Sequence, residues 1–454
     1  MPGRRKLTRI WRVTSQLISR SLLFLSIATP CYAENIVEIV ELSLVNETGL
    51  LQAQELRDAS KAARRQTLGE FFPEIRLYGE MGNYEQKVSR LNNLPLTDPL
   101  TSATEGQLYR LEASVPLFDT TLFAKYSIAD LKVTRSNLEG LMAKQEAILH
   151  SALAYIRVIQ HTERLNLSRI HKNSASEQLD HTNQRLKLGL SSKADVLEAT
   201  ARHDTAVAEE LLAETELSIS RENLKRIVGQ EFGTLSPLKD NAPLLPPNPA
   251  SADSWIELAN KSSPKLAIAE MEHRILKAET SMHRRAHLPK IHLKAYAEKV
   301  EDERVFGRHS EDSGALVEFS LPLYEGGKTS ARTTETVHKA IAAKHQRESM
   351  QRQVENEIRD NFMRTLAALS HIKALRQAKE STTKAHNSIK AGFRVGSRSA
   401  VDVLNSLKEM LKAQKAYANA RYEYIENLLK LKAASGKLAI DDIVSINRWL
   451  GGDS

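Results

Sequence analysis

Proline is absent between Pro116 and Pro237, and again from Pro322 to the end of the 454-residue chain. A proline inside a helix removes a backbone donor and clashes with the preceding turn, so both stretches are free to run as very long helices. Glycine interrupts the first only at Gly140, Gly189, Gly229 and Gly233. Leu138, Leu141, Ile148, Leu149, Leu153, Ile156 and Ile159 keep the three- and four-residue spacing that lines apolar side chains along one helix face. The pattern predicts a helix over about 119–188 with a shorter return helix over 192–228, and a second pair over 328–391 and 399–434. At 1.5 Å per residue the longer members reach about 100 Å. Rods of that length cannot bury an apolar stripe alone and must pack as coiled coils.

Composition agrees. Charged residues make up 26% and aromatics 5%, and mean hydropathy is −0.39, a balance suited to exposed helices rather than a thick core. Six cations (Arg4, Arg5, Lys6, Arg9, Arg12, Arg20) precede the apolar run Leu22–Ala28 and the exit Cys31-Tyr32-Ala33. Basic start, apolar middle and small-residue exit predict a signal peptide over 1–33, cleaved after Ala33. The formal charge of +8 falls to about +2 once those six cations are set aside, so the basic balance is no nucleic-acid footprint. Cys31 leaves with the leader, and Pro30 before it fits a lipid-acceptor site poorly. No later stretch is apolar over the roughly 20 residues a membrane helix needs. The exported chain is therefore soluble or crosses a membrane by strands.

Strand patterns flank the prolines. Ile75, Leu77, Gly79 and Met81 alternate with Arg76, Tyr78 and Glu80; Tyr109, Leu111, Ala113, Val115 and Leu117 alternate with Arg110, Glu112 and Ser114. Ile291, Leu293, Ala295 and Ala297 alternate likewise, as do Ala315, Val317, Phe319 and Leu321. The expectation is four strands (about 74–84, 108–118, 290–300 and 314–323) in two hairpins with polar loops at 85–107 and 300–313. This is the two-residue period of membrane-barrel strands, though a small soluble sheet would show it too. Residues 236–253 are a proline-rich link, and the halves on either side (34–235 and 254–454) repeat. Glu112, Ser114 and Pro116 recur 206 positions later as Glu318, Ser320 and Pro322; Gly189, Ser192 and Asp195 recur 207 positions later as Gly396, Ser399 and Asp402. Four strands cannot close a barrel, and an open edge is not tolerated in lipid. Three copies would pool twelve strands into a plausible closed barrel. The fold class expected is mainly α, with a coiled-coil tunnel and a membrane β-barrel completed in a trimer.

The stretches Val395-Gly-Ser-Arg-Ser-Ala-Val-Asp-Val-Leu404, Asn419-Ala-Arg-Tyr-Glu-Tyr424 and Ser320-Leu-Pro-Leu-Tyr-Glu-Gly-Gly327 resemble the TolC family of outer-membrane efflux and secretion channels, and the likeness runs over essentially the whole mature chain. The resemblance implies a homotrimer in outer-membrane lipid with a long periplasmic extension. It also implies a periplasmic adaptor and an inner-membrane transporter, ABC or proton-driven, as partners. Position by position it places Asp195, Arg398 and Asp402 on gate residues, and Gly189, Leu190, Gly396 and Ser397 on adaptor-contacting tips. Asn405 stands where the family has a second aspartate, and Phe393 where it has a tyrosine whose hydroxyl bonds across the gate. A lock resting more heavily on Arg398 is implied. By symmetry a ring of three Asp402 carboxylates favours cations. The match over Val395–Leu404 and the last long helix points toward type I protein secretion, with small-molecule efflux as the alternative.

Other readings are weaker. Gly326-Gly327-Lys328-Thr329 follows a strand as a phosphate loop does, but the glycine that motif needs five residues before Gly327 is Pro322. His283 and His287 lack the glutamate and third ligand of a zinc site. No nucleophile or paired-carboxylate constellation is recognisable, so no enzyme, metal or cofactor is expected. A periplasmic coiled-coil structural or adaptor protein shares the rods but has no need of lipid-facing strands.

Overall fold

The computed structural model describes residues 35–91, 94–302 and 308–451. The predicted signal peptide, with Cys31 and the Ala33 cleavage point, lies outside them, as does part of the second hairpin loop. The first half comprises α1 (Ile36–Asn46), α2 (Thr48–Gly69), β1 (Glu74–Leu91), β2 (Leu94–Phe118), α3 (Thr120–Lys187) and α4 (Lys193–Val228). The second comprises α5 (Ala252–Ser262), α6 (Pro264–Arg285), β3 (Lys290–Asp302), β4 (Arg308–Ser320), α7 (Lys328–Arg394), α8 (Ala400–Ala434) and α9 (Ile440–Asn447).

The rods are coiled coils with a seven-residue period. On α4 the buried positions Ala199, Ala206, Ala213 and Ser220 fall seven apart, and on α8 Leu404, Leu411, Ala418 and Ile425 do the same. A strict seven-residue repeat keeps the seam facing its partner only if the helices supercoil left-handedly. Halfway along, the rods thicken into a belt. Ile36, Ile39 and Val40 of α1 pack with Tyr155 and Ile156 of α3, Tyr422 and Ile425 of α8, and Ile443 of α9.

The proline-rich link is part of this belt. Leu238 and Ala242 are buried, and the Ser236 amide donates to the Tyr155 hydroxyl at 3.0 Å. Arg421, its side chain 3% exposed, pairs with Asp240 at 3.3 Å and donates to the Lys239 carbonyl, while the Tyr424 hydroxyl donates to that of Leu245. The Arg421–Tyr424 stretch that carried part of the resemblance is therefore a clamp. Burial, with Glu163 alongside, pushes the Tyr422 phenol upward; burial likewise raises Tyr424, to about 12.

The hairpins join in one antiparallel sheet, ordered β1-β2-β3-β4. Register places Ile75 beside Ala113, Ala113 beside Ala295 and Ala295 beside Ala315; Leu77, Leu111 and Ala297 form the next level. The apolar sets of all four strands therefore share one face. The other face is charged, with Arg110 against Glu298 and Lys294 against Glu318 at 2.7 Å. Phe72, Phe118, Phe123, Phe319 and Tyr324 are exposed where the strands meet the rods, the position of an aromatic girdle at a bilayer boundary.

The strands run longer than their alternation. β1 has 18 residues and β2 has 25, so the stretch expected as the 85–107 loop continues the ladder, pairing Glu85 with Ala103 and Lys87 with Thr101. A ladder needs only backbone groups, so it persists where no face has to be buried. Pro95 and Pro99 lie beyond the last β2–β3 pair, Gly106 with Asp302, and Pro99 falls at the register shift after Val88; bulges and edges tolerate proline. At the other end β4 stops at Ser320, before Pro322.

Candidate functional site

Both helix pairs turn at their far ends through the same hydrogen-bonded device. α3 ends with Gly189 in the left-handed conformation (φ 71°); the Gly189 amide donates to the Leu186 carbonyl at 3.0 Å and the Leu190 amide to that of Arg185 at 2.8 Å. At the end of α7, Gly396 (φ 80°) donates to Phe393 at 3.1 Å, and Ser397 to Gly392 at 2.9 Å. This six-to-one and five-to-two pairing satisfies the last free carbonyls of a helix. Three residues after each glycine a serine caps the next helix. The Asp195 amide donates to Ser192 Oγ at 3.1 Å while the Asp195 carboxylate accepts from the Ser192 amide at 2.8 Å. Asp402 and Ser399 repeat the box at 2.9 and 3.1 Å.

The aspartate shared by both halves thus has a local reason: it is the third helical residue of a capping box, satisfying a free donor. The backbone bond from Ser192, helped by the Ser191 hydroxyl, holds the Asp195 carboxyl below its ordinary value. Bonds from Ser399, and Arg398 nearby, do the same for Asp402. Both carboxylates are ionised at neutral pH.

The two tips meet. Arg185, Leu190 and Asp195 of the first and Phe393, Arg398 and Ser399 of the second line one cavity of about 150 Å³. The Arg185 guanidinium lies 5.7 Å from the Phe393 ring centre, so a cation–π contact stands at the position where the family pattern has a tyrosine and this chain has Phe393. Asn405 is engaged by a residue that sequence reasoning did not single out: Arg202 donates to its Oδ1 at 3.0 Å and to Glu198 at 2.6 Å. Gly392 was also missed. A Cβ there would sit 2.9 Å from Arg398 Cγ and 3.0 Å from Ser397 Oγ, so the absent side chain lets the Arg398 stem lie against α7. Neither contact has a periodic signature, because one joins residues 203 apart. Gly189, Leu190, Gly396 and Ser397 stand exposed at the turns, beside Leu188 and Val395, which are 73% and 80% exposed.

No group of three metal-ligating side chains occurs among the described residues, and none of the described helices is long and apolar enough to cross a membrane. Paired rods with level tips, hung from a sheet with one apolar face, define a subunit of an outer-membrane channel. The chain belongs to the outer membrane efflux protein family, whose sequence profile matches residues 39–230 and 255–437.

It is 29% identical to the outer membrane protein TolC of Vibrio cholerae over 430 residues, 94% of this chain and 96% of that one. It is 25% identical to the alkaline protease secretion protein AprF of Pseudomonas aeruginosa, over 73% of this chain and 70% of that one. The fold also matches the crystal structure of the Campylobacter jejuni CmeC outer membrane channel, with a TM-score of 0.76 at 14% identity and 94% of each chain covered. It is an outer-membrane channel of the TolC type, a class that serves efflux or secretion.

Proposed function

We propose that three copies close a twelve-stranded barrel continued by their rods as a periplasmic tunnel, the exit duct of an export system with an inner-membrane transporter and a periplasmic adaptor. The observation that carries this reading is the sheet. Its apolar face is bare, with Ile75, Leu77, Val317 and Phe319 each more than 60% exposed. Its outer strands β1 and β4 pair on one side only, and such edges must be closed by further copies in lipid. The level tips then form the entrance. Asp195, Arg398 and Asp402, with Phe393 and Asn405 beside them, make its lock. Gly189, Leu190, Gly396 and Ser397, flanked by exposed Leu188 and Val395, face the adaptor.

In this reading Arg398 carries more of the lock than a tyrosine-bearing tip requires, since Phe393 has no hydroxyl to offer. Replacing Arg398 with Ser raises single-channel conductance in planar bilayers. Conductance equal to wild type removes Arg398 from the lock.

The cargo we propose is protein. Support comes from the relative named for alkaline protease secretion. The family's description as an efflux protein favours a second reading, small-molecule efflux. Deleting the gene in its host separates them. Loss of proteins from the culture medium with unchanged drug tolerance supports secretion, whereas drug hypersensitivity with a normal set of secreted proteins supports efflux.

A further inference from the structure

Three Asp402 carboxylates converging on an axis imply a cation-favouring mouth; the charges surrounding them have the opposite sign. Over the two turns and the rod ends beside them, residues 185–202 and 390–412, nine cations face four carboxylates. The carboxylates are Asp195, Glu198, Asp402 and Glu409. The first and third are held in capping boxes, and Glu198 is paired with Arg202 at 2.6 Å. Asn405, where a second acid would reinforce the ring, is neutral and accepts from Arg202.

The cations are less engaged. Among the described residues no carboxylate lies within ion-pair distance of Lys187, Lys193, Lys390, Arg394, Lys408 or Lys412, and all six are exposed. Higher on α7 some cations are paired, Lys339 with Glu335, Arg347 with Glu270 and Arg364 with Asp360, while Arg332, Arg352, Lys373, Lys379 and Lys384 have no carboxylate within ion-pair distance among the described residues. What sets the entrance end apart is its excess of cations over carboxylates. Each chain contributes a surplus of five there, and three chains bring their surpluses to one ring.

We infer that the entrance is anion-selective, admitting small anions and carboxylate-rich cargo in preference to cations. The inference rests on the reading of the tips as a trimeric entrance. A constriction lined by one sign of charge between low-dielectric walls concentrates counter-ions. The Debye length at physiological salt is about 8 Å, so charges spread over this much rod act together mainly on ions already inside the mouth.

The test is the reversal potential of purified wild-type channels in a planar bilayer under a potassium chloride gradient. The expected chloride-over-potassium permeability ratio is above about 2 at low salt, falling toward unity as salt rises. The double variant Lys390→Glu with Arg394→Glu cuts the surplus from five to one per chain and brings the ratio close to unity. The neutral pair Lys390→Gln with Arg394→Gln gives an intermediate value and guards against misfolding of the reversed one. Conductance steps with potassium selectivity, or a chloride preference unmoved by both double variants, overturn this inference and leave the channel reading intact. Absence of any conductance step from folded protein overturns the channel reading and the inference with it.

Discussion

Ala295 distinguishes the lipid face of the sheet from the lumen face most sharply. It lies on β3, paired with Ala113 and Ala315, near the middle of an apolar run that begins at Ile291 and ends at Ala297, before Lys299. At about 3.3 Å per residue that run covers roughly 20 Å, most of the ~25 Å apolar band of an outer-membrane barrel. An arginine replacing Ala295 would thus lie near mid-depth, where a cation facing lipid costs about 2–4 kcal/mol. With three chains closing one barrel, the penalty reaches about 6–12 kcal/mol per assembly. Ser114, paired with Glu74 and Lys294, lies at nearly the same height on the charged face. Ser114→Arg is expected to cost under about 1 kcal/mol, as surface substitutions away from special features do. The assay is the yield of folded, outer-membrane-fractionated protein together with its urea midpoint in vesicles. Ala295→Arg should lose most of the yield, and Ser114→Arg and Ala295→Leu almost none. Equal losses for the two arginine variants, or the reverse order, would refute the assignment of faces.

Gly436 separates strain from crowding. Its φ is 72°, and a Cβ would run into the Ser262 carbonyl and lie 2.8 Å from Ser263 Cα. Gly436→Ala should therefore lose about 2 kcal/mol or more, against about 1 for Gly189→Ala, where the same left-handed geometry opens onto empty space; thermal midpoints that rank the two in the other order contradict this. The capping boxes give a pH signature. The folded Asp195 and Asp402 carboxyls lie below their ordinary 3.8, so their contribution is complete above that value and lost as pH falls through the lower folded one. Amide protection factors at the tips, exchange rates divided into the intrinsic rate at each pH, should be unchanged from pH 7 to 5 and fall only below about 4; a fall already at pH 5 rules the boxes out as its source. Ser399→Ala, which removes one cap outright, should speed exchange at every pH by the equivalent of about 1 kcal/mol.

The rods were legible because three- and four-residue apolar spacing and missing prolines are local facts, and the tips because glycine and serine have local conformational work. What escaped the sequence is pairing over distance. Arg421 and Tyr424 reach main-chain carbonyls of the link 182 and 179 residues away, and a carbonyl leaves no mark in a sequence. The tall first hairpin escaped because alternation vanishes above Met81 while the ladder continues. One signal was nevertheless present. Pro73 recurs as Pro289 at an offset of 216, whereas Glu112 recurs as Glu318 at 206. The ten residues lost between those landmarks are the extra length of the first hairpin, five per strand or about 17 Å.

The offset changes by only one between the strand exits and the tips, from 206 to 207, so the two long rods agree in length to within a residue. Hairpins at the outer surface can differ in height without consequence for closure, but the tips cannot, because Arg185 and Asp195 must meet Phe393 and Arg398 across one small cavity. Equal rods are what bring them level. Inserting one heptad into α3 and a matching heptad into α4 preserves the seam spacing of both helices yet lowers the first tip by about 10 Å. The second tip stays where it was. The barrel and belt lie above the insertion, so trimers should still form, while the contact of Arg185 with Phe393 and of Arg202 with Asn405 is lost. Conductance should rise in this variant and return when α7 and α8 are lengthened by the same heptad. A channel that stays closed with one pair lengthened would mean that the seal does not depend on the two tips lying at the same depth.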